Sequence, residues 1–220
     1  MITQKGDFFM RFMDIFKNWA NDYDQTVNGN NEEYYDVFYN YNDLISQISK
    51  KVYGDVLDIG AGTGNLTELM YKNNNIKNIL SIDPSKEMRE VAKKDKNIDI
   101  EYGHFLDIPT TKKFDFIVAS FSFHHLTYKE KDTAFKNMKR HLNTDGRIII
   151  LDTLFKDELS KKEIIEKYTK KNYINLVEDL KTEFYPYLEE IDTLLKKNDF
   201  QYTITQKNTF AWEIIIENKR

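Results

Sequence analysis

Residues 56 to 70, VLDIGAGTGNLTELM, constrain the fold more than any other stretch of this chain. A short apolar run ends in three glycines at alternate positions, Gly60, Gly62 and Gly64, and passes directly into residues with helical spacing. Glycine takes a positive φ without strain, so three of them mark a reversal whose backbone lies bare on one side. A buried strand joined to a helix by such a turn is one β-α unit, and such a unit buries its faces only against others like it. The others follow in order. ILSID leads to SKEMREVAKKD, IDIEYGHF reads as a third strand, and FDFIVASFSF as a buried fourth followed by the helix KDTAFKNMKRHL. GRIIILDT makes a fifth strand after a tight Asp145-Gly146 turn. Strands alternating with helices at this spacing predict a parallel sheet covered on both faces by right-handed crossovers. FQYTITQKN and FAWEIIIEN, a turn apart, predict an antiparallel hairpin at the sheet edge. The expected fold is therefore α/β and doubly wound, with seven strands, mostly parallel with an antiparallel C-terminal hairpin strand.

Outside the alternation the chain is helical in pattern. Phe9, Phe12, Phe16, Trp19 and Tyr23 fall on one face of a first amphipathic helix, and EEYYDVFYNYNDLISQISKKV reads as a second. KDELSKKEIIEKYTKKNYINLVEDLKTEF and the stretch after Pro186 add further helices. One domain over 1–220 is expected: a helical cap at 1–50, a core at 51–154, a helical insertion at 155–199 and a terminal hairpin at 200–220. Hydrophobic residues at 40% and aromatics at 14% suffice to fill its core. The net charge of -4 lacks the basic face that nucleic-acid binding needs, so no nucleic-acid partner is expected. No apolar stretch approaches the roughly 18 residues of a membrane span. Asp7, Arg11 and Asp14 interrupt any leader-like core. There is no cysteine, which fits a reducing compartment, and a cytoplasmic, membrane-free protein is expected.

A glycine turn at the end of a buried strand is where doubly wound folds present backbone N–H groups and a helix N-terminus to a ligand. The pattern here is G-x-G-x-G, which departs from the G-x-G-x-x-G of a pyrophosphate cradle. Asp58, just before the turn, suits a cationic group better than a phosphate. Asp83 ends the second strand 19 residues after Gly64, where a carboxylate can accept both hydroxyl hydrogens of a ribose. Asp83 also precedes Pro84 at a helix start, so capping is a second use for it. Asp107, in GHFLDIP, is placed to accept from an adenine amino group, with the N–H of Phe105 or Leu106 a candidate for a ring nitrogen.

Together VLDIGAGTGNLT, SIDPS, GHFLDIP, FDFIVASFSFHHL and LNTDGRIIILDT resemble the class I S-adenosylmethionine-dependent methyltransferases, over about residues 50 to 154. The N-terminal FKNWANDYDQTVNGNNEEYYDVFYNYNDLI is similar to a narrower bacterial group linked to sulfur amino-acid salvage. The resemblance implies a Rossmann-like sheet and an S-adenosylmethionine site at the ends of the first, second and fourth strands. Gly60, Ala61, Gly62 and Gly64 would follow the methionyl and ribose parts, with Asp83, Pro84 and Met88 beside the ribose. Asp107 would take the adenine amine. Ser120 and Phe121 would face the sulfonium, and Tyr23, in NDYD, would close over the cofactor as part of the cap.

Methyl transfer from a sulfonium is an in-line displacement with a good leaving group, so alignment is the main task and a base is needed only when the acceptor must lose a proton. His124 and His125, in SFHHL, are the histidines at that mouth and the candidates for base work. No cluster with metal-ligand spacing stands out, so no metal is expected. The acceptor is expected to be a small molecule, and the protein a monomer or homodimer. Two other readings stay open from the residues alone: a non-enzymatic S-adenosylmethionine-binding protein and an NAD-dependent oxidoreductase.

Overall fold

The computed structural model describes residue 20 and residues 22–219. The first expected helix, with Phe9, Phe12, Phe16 and Trp19, lies outside the described residues up to Ala20.

The apolar runs at the centre of the chain become strands because their alternate residues feed two separate cores. β1 (Gly54–Ile59), β2 (Ile76–Ile82), β3 (Phe114–Ser120) and β4 (Leu142–Thr153) are parallel, and β5 (Phe200–Gln206) and β6 (Ala211–Asn218) antiparallel. Their order is β2-β1-β3-β4-β6-β5. Val56, Phe116, Val118, Ile149 and Leu151 point to one face. Their neighbours Leu57, Ile117, Ile148 and Ile150 point to the other. This two-residue period, buried on both sides, is what a covered parallel sheet demands.

The first face is covered by α1 (Tyr41–Lys51), α2 (Asn65–Tyr71), α5 (Glu158–Lys170) and α6 (Ile174–Thr182), through Ile48, Leu66, Tyr168 and Leu176. The second is covered by α4 (Tyr128–His141) and α7 (Leu188–Lys197), through Phe135, Met138, Leu194 and Leu195. α3 (Lys86–Lys96) packs Ala92 with Ile98, Ile100 and Ala61 at the sheet edge. Between β1 and β3 the chain order reverses, since β2 lies on the other side of β1. That reversal opens the crevice in which such folds bind ligands.

Three expectations are corrected. The sheet has six strands, not seven. The expected strand IDIEYGHF is reduced to one bridge, in which Glu101 N donates to Ser81 O and Asp83 N to Glu101 O. The chain turns off immediately after, because Gly103 lies so close to Ile82 and Pro109 that a Cβ there would meet the proline ring at 2.7 Å. Second, residues 32–39 form turns instead of starting the second helix, which begins only after Asn40 at φ 60°. These turns are held by α6: Glu33 accepts from the Asn175 and Leu176 N–H groups, at 2.8 and 3.1 Å. Third, Asp145 and Gly146 lie inside β4, at a register shift against β3.

Candidate active site

Gly60, Gly62 and Gly64 all have positive φ, at 72°, 58° and 83°, but each is glycine for a different reason. A Cβ on Gly60 would lie 2.5 Å from the Ser122 side chain, while Gly64 is the left-handed residue before α2, packed against Ile98. Gly62 has nothing within 4 Å of where its Cβ would be, and it lines the cavity. Its N–H donates to Asp83 Oδ2 at 2.8 Å, and Ser85 N donates to Oδ1 at 2.8 Å. Asp83 is buried, and burial, partly offset by these N–H donors, pushes its carboxyl up to about 6. Each carboxylate oxygen keeps a further lone pair for a ligand hydroxyl.

The turn, Asp83 and the end of β3 frame a cavity of about 980 Å³. That is the upper end of the roughly 300–1,000 Å³ of small-molecule sites, with room for more than one ligand. Its wall includes Tyr23, Gly60, Ala61, Gly62, Asp83, Pro84, Met88, Phe105, Leu106, Ser120, Phe121, His124 and His125, all expected from the sequence. Asp58, Gly64 and Asp107 do not line it. Asp58 is buried beneath the turn and accepts from Thr67 Oγ1 at 2.7 Å, tying α2 to the sheet. Its Oδ1 has no partner among the described residues, and burial, with Asp83 adding, pushes the carboxyl up to about 7. Asp107 is exposed, with its main chain paired to His104 in a tight turn.

Over the turn lies an aromatic wall. Phe121, at φ 49°, sets its ring 5.1 Å from Phe38 and 5.7 Å from Tyr41, and Tyr23 meets Phe38 edge-on. A phenylalanine in the left-handed region costs of order 1–3 kcal/mol and persists where its surroundings require it. Burial raises the Tyr23 and Tyr41 hydroxyls well above their ordinary 10, so both are neutral donors. The segment carrying Tyr23 is fastened by the next residue. Asp24 Oδ1 accepts from Thr63 Oγ1 at 2.6 Å and Asn65 Nδ2 at 2.9 Å, and Oδ2 pairs with Lys96 at 2.5 Å.

At the far end the short helical turn Phe123–His125 follows β3. Asp152, near the end of β4, accepts from the N–H groups of Phe123, His124 and Thr153 and from His124 Nδ1, the last at 2.6 Å. A carboxylate only accepts, so Nδ1 carries the hydrogen, and the neutral ring keeps its lone pair on Nε2. Burial alone would lower the His124 pKa; Asp152 outweighs it and holds the imidazole above 6.5. His125 goes the other way, down to about 4, through burial and the charge of His124, although its Nδ1 lies 3.2 Å from Glu183. Tyr185 stacks on His124 at 4.8 Å, and Tyr34 donates its hydroxyl to Asp179 on α6. Buried Lys131 fixes this end from beneath, donating to the carbonyls of Leu126 and Phe184. Burial pushes its amine down to about 8.

Asp24, Asp152, Asp179, Glu183 and Tyr185 are the residues that sequence reasoning missed. A usable signal existed for Asp152, an acid closing an otherwise apolar strand, and for Asp24, beside Tyr23 in NDYD. One ligand atom each of His124, His125 and Glu183 lies within 4.8 Å of the others, a donor set of a type that binds divalent ions.

A doubly wound sheet with a glycine turn and a buried carboxylate on one cavity is the nucleotide-binding architecture that class I methyltransferases share. Residues 56–146 match the family model described as a methyltransferase domain. The chain is 48% identical over 203 residues to an uncharacterized methyltransferase of Staphylococcus carnosus, covering 92% of this chain and 97% of that one. Among solved structures it resembles the magnesium protoporphyrin IX methyltransferase of Synechocystis with bound S-adenosylhomocysteine. The TM-score there is 0.70, at 14% identity, over 96% of this chain and 99% of that one. It also resembles an S-adenosylmethionine-dependent methyltransferase of Clostridium acetobutylicum, with TM-score 0.64 at 15% identity, over 94% and 100%. At such identities the structures speak for the fold alone. The chain belongs to the class I S-adenosylmethionine-dependent methyltransferase family, whose cofactor is S-adenosylmethionine. Among the described residues, no helix is long and apolar enough to cross a membrane.

Proposed function

We propose that this protein transfers the methyl group of S-adenosylmethionine to a small molecule held in the far half of the same cavity. The observation that carries the reading is Asp83: a buried carboxylate on the cavity wall, fixed by the N–H groups of Gly62 and Ser85, beside open space where Gly62 lacks a side chain. Asp83 would take the ribose hydroxyls, while Gly60, Ala61 and Gly62 would follow the methionyl part and Pro84, Met88, Phe105 and Leu106 the ribose and adenine. Asp107 would reach the adenine from the rim.

When bound, S-adenosylmethionine supplies an electrophilic methyl on a positively charged sulfur. Ser120, Phe121 and the aromatic wall align the acceptor and exclude water from that end. His124, oriented by Asp152, would take the acceptor's proton on Nε2. Asp152 acts as a positioning residue, fixing the tautomer and stabilising the imidazolium that forms. A small acceptor fits a cavity of about 980 Å³ in a chain of net charge -4.

Thermal unfolding with added S-adenosylhomocysteine tests the cofactor half. Ligand at 100 times Kd adds about 2.7 kcal/mol of stability, a rise in melting temperature easily seen. A transition unmoved by millimolar ligand would sink the reading.

A further inference from the structure

The acceptor half of the cavity has a chemical bias that its place in a methyltransferase does not require. Its wall carries Glu130, Glu178, Asp179 and Glu183 against one lysine, Lys129. Glu130 is occupied by the Thr127 cap of α4, but among the described residues no lysine or arginine pairs with Asp179 or Glu183. Asp179 has a neutral hydroxyl, Tyr34, as its hydrogen-bond donor. Glu183 has His125 Nδ1 at 3.2 Å. A carboxylate held in a partly desolvated cleft without a counter-charge is costly, and the cost is recovered when a cation binds. Tyr185 stacks on His124 beside them, and His124, nine-tenths buried and held through Nδ1 by Asp152, lines the same space.

Resting on the methyltransferase reading above, we propose that the acceptor is a basic nitrogen compound, a primary or secondary amine that enters as its ammonium cation and is captured by Asp179 and Glu183. An ammonium satisfies both carboxylates at once and gains from the aromatic face. A carboxylate or phosphate acceptor would meet like charge, and a neutral alcohol would leave the two acids uncompensated. The same arrangement explains why a base is needed. An ammonium has no lone pair, so one N–H proton passes to His124 Nε2. The freed lone pair then forms the N–CH3 bond as the C–S bond breaks and its electron pair stays on sulfur. The positive charge of the sulfonium ends on the methylated nitrogen, beside the same carboxylates, and sulfur leaves as a neutral thioether.

The test uses the full chain saturated with S-adenosylhomocysteine and two matched sets of probes in a titration calorimeter. One set is phenethylamine, phenethyl alcohol, phenethyl mercaptan and hydrocinnamate; the other is butylamine, butanol, butanethiol and butyrate. Amines are expected to bind measurably and at least about tenfold more tightly than their matched partners, the span of one charge-assisted hydrogen bond. Asp179→Asn and Glu183→Gln should each weaken amine binding by about tenfold to a hundredfold while leaving S-adenosylhomocysteine affinity unchanged. With S-adenosylmethionine instead, mass spectrometry should find the N-methylated amine. Preference for the alcohol, thiol or acid in both sets, or no binding by either amine, overturns the amine acceptor while S-adenosylhomocysteine still binds. Loss of S-adenosylhomocysteine binding itself would overturn the methyltransferase reading, and this proposal with it.

Discussion

The two ends of the cavity are built by different means. At the glycine turn the groups that line the cavity are main chain and one carboxylate held by main-chain N–H groups, all within one β-α-β stretch from Ile59 to Ser85. At the histidine end they are side chains paired across long sequence distances: His124 with Asp152 over 28 residues, His125 with Glu183 over 58, and Tyr34 with Asp179 over 145. The first end is set by backbone conformation, which tolerates little change because each glycine answers a separate demand. The second is assembled by packing α6 and the turns at residues 32–39 onto the sheet, and its chemistry changes with any of those side chains.

The sharpest way to break the contrast is at Asp152. Asp152→Asn is expected to lower kcat by about 10²–10⁴-fold, because the amide presents the wrong tautomer of His124. Affinity for S-adenosylhomocysteine should be unchanged. The sign of its pH effect is fixed: Asp152 holds the His124 pKa up, and the base works when neutral, so activity rises with pH above the ordinary 6.5 in the wild type. Losing the carboxylate should move that acid limb to lower pH. A variant with full activity and an unmoved limb would show that His124 takes no proton.

Gly62→Val should weaken cofactor binding by more than about 100-fold, roughly 2.7 kcal/mol, since its side chain would fill the cavity. Gly60→Val should instead lower the melting temperature, by forcing Ser122 aside. If calorimetry gives Gly62→Val normal binding, the ligand lies elsewhere. Asp24→Ala comes next, at about tenfold in cofactor affinity, or 1.4 kcal/mol. Hydrogen exchange over residues 22–30 should quicken in that variant; unchanged exchange would remove the fastening role. The smallest effect is a proton count. With its carboxyl near 6, Asp83 is about half protonated at pH 6, and ribose hydroxyls donating to it favour the ionised form. Binding at pH 6 should therefore release up to about half a proton, measured by calorimetry in buffers of different ionisation enthalpy. Proton uptake, or release persisting in Asp83→Asn, would contradict the assignment.

The turn, Asp83 and the histidine pair were legible in the sequence because spacing within one β-α unit fixes where they stand. The opposite pKa shifts of His124 and His125 were not, since they depend on Asp152 and on each other. Nor were the helix breaks at Asn40 and Asn172, where the left-handed conformation is selected by tertiary contacts. IDIEYGHF has the pattern of a strand, yet Gly103 packs too close to Ile82 and Pro109 for the pairing to continue. Asp58 was read as facing the ligand; it faces Thr67 instead, because alternation along β1 turns it away from the cavity.

Asp24 also bears on timing. Because one carboxylate holds Thr63, Asn65 and Lys96 together, the segment carrying Tyr23 cannot fray residue by residue. It parts from the turn in one event or not at all. Under the proposed cofactor contact of Tyr23, exit of the spent cofactor would wait on that rupture, and departure would limit turnover. Added salt, which weakens the partly exposed pair with Lys96, would shorten the wait and raise the steady-state rate.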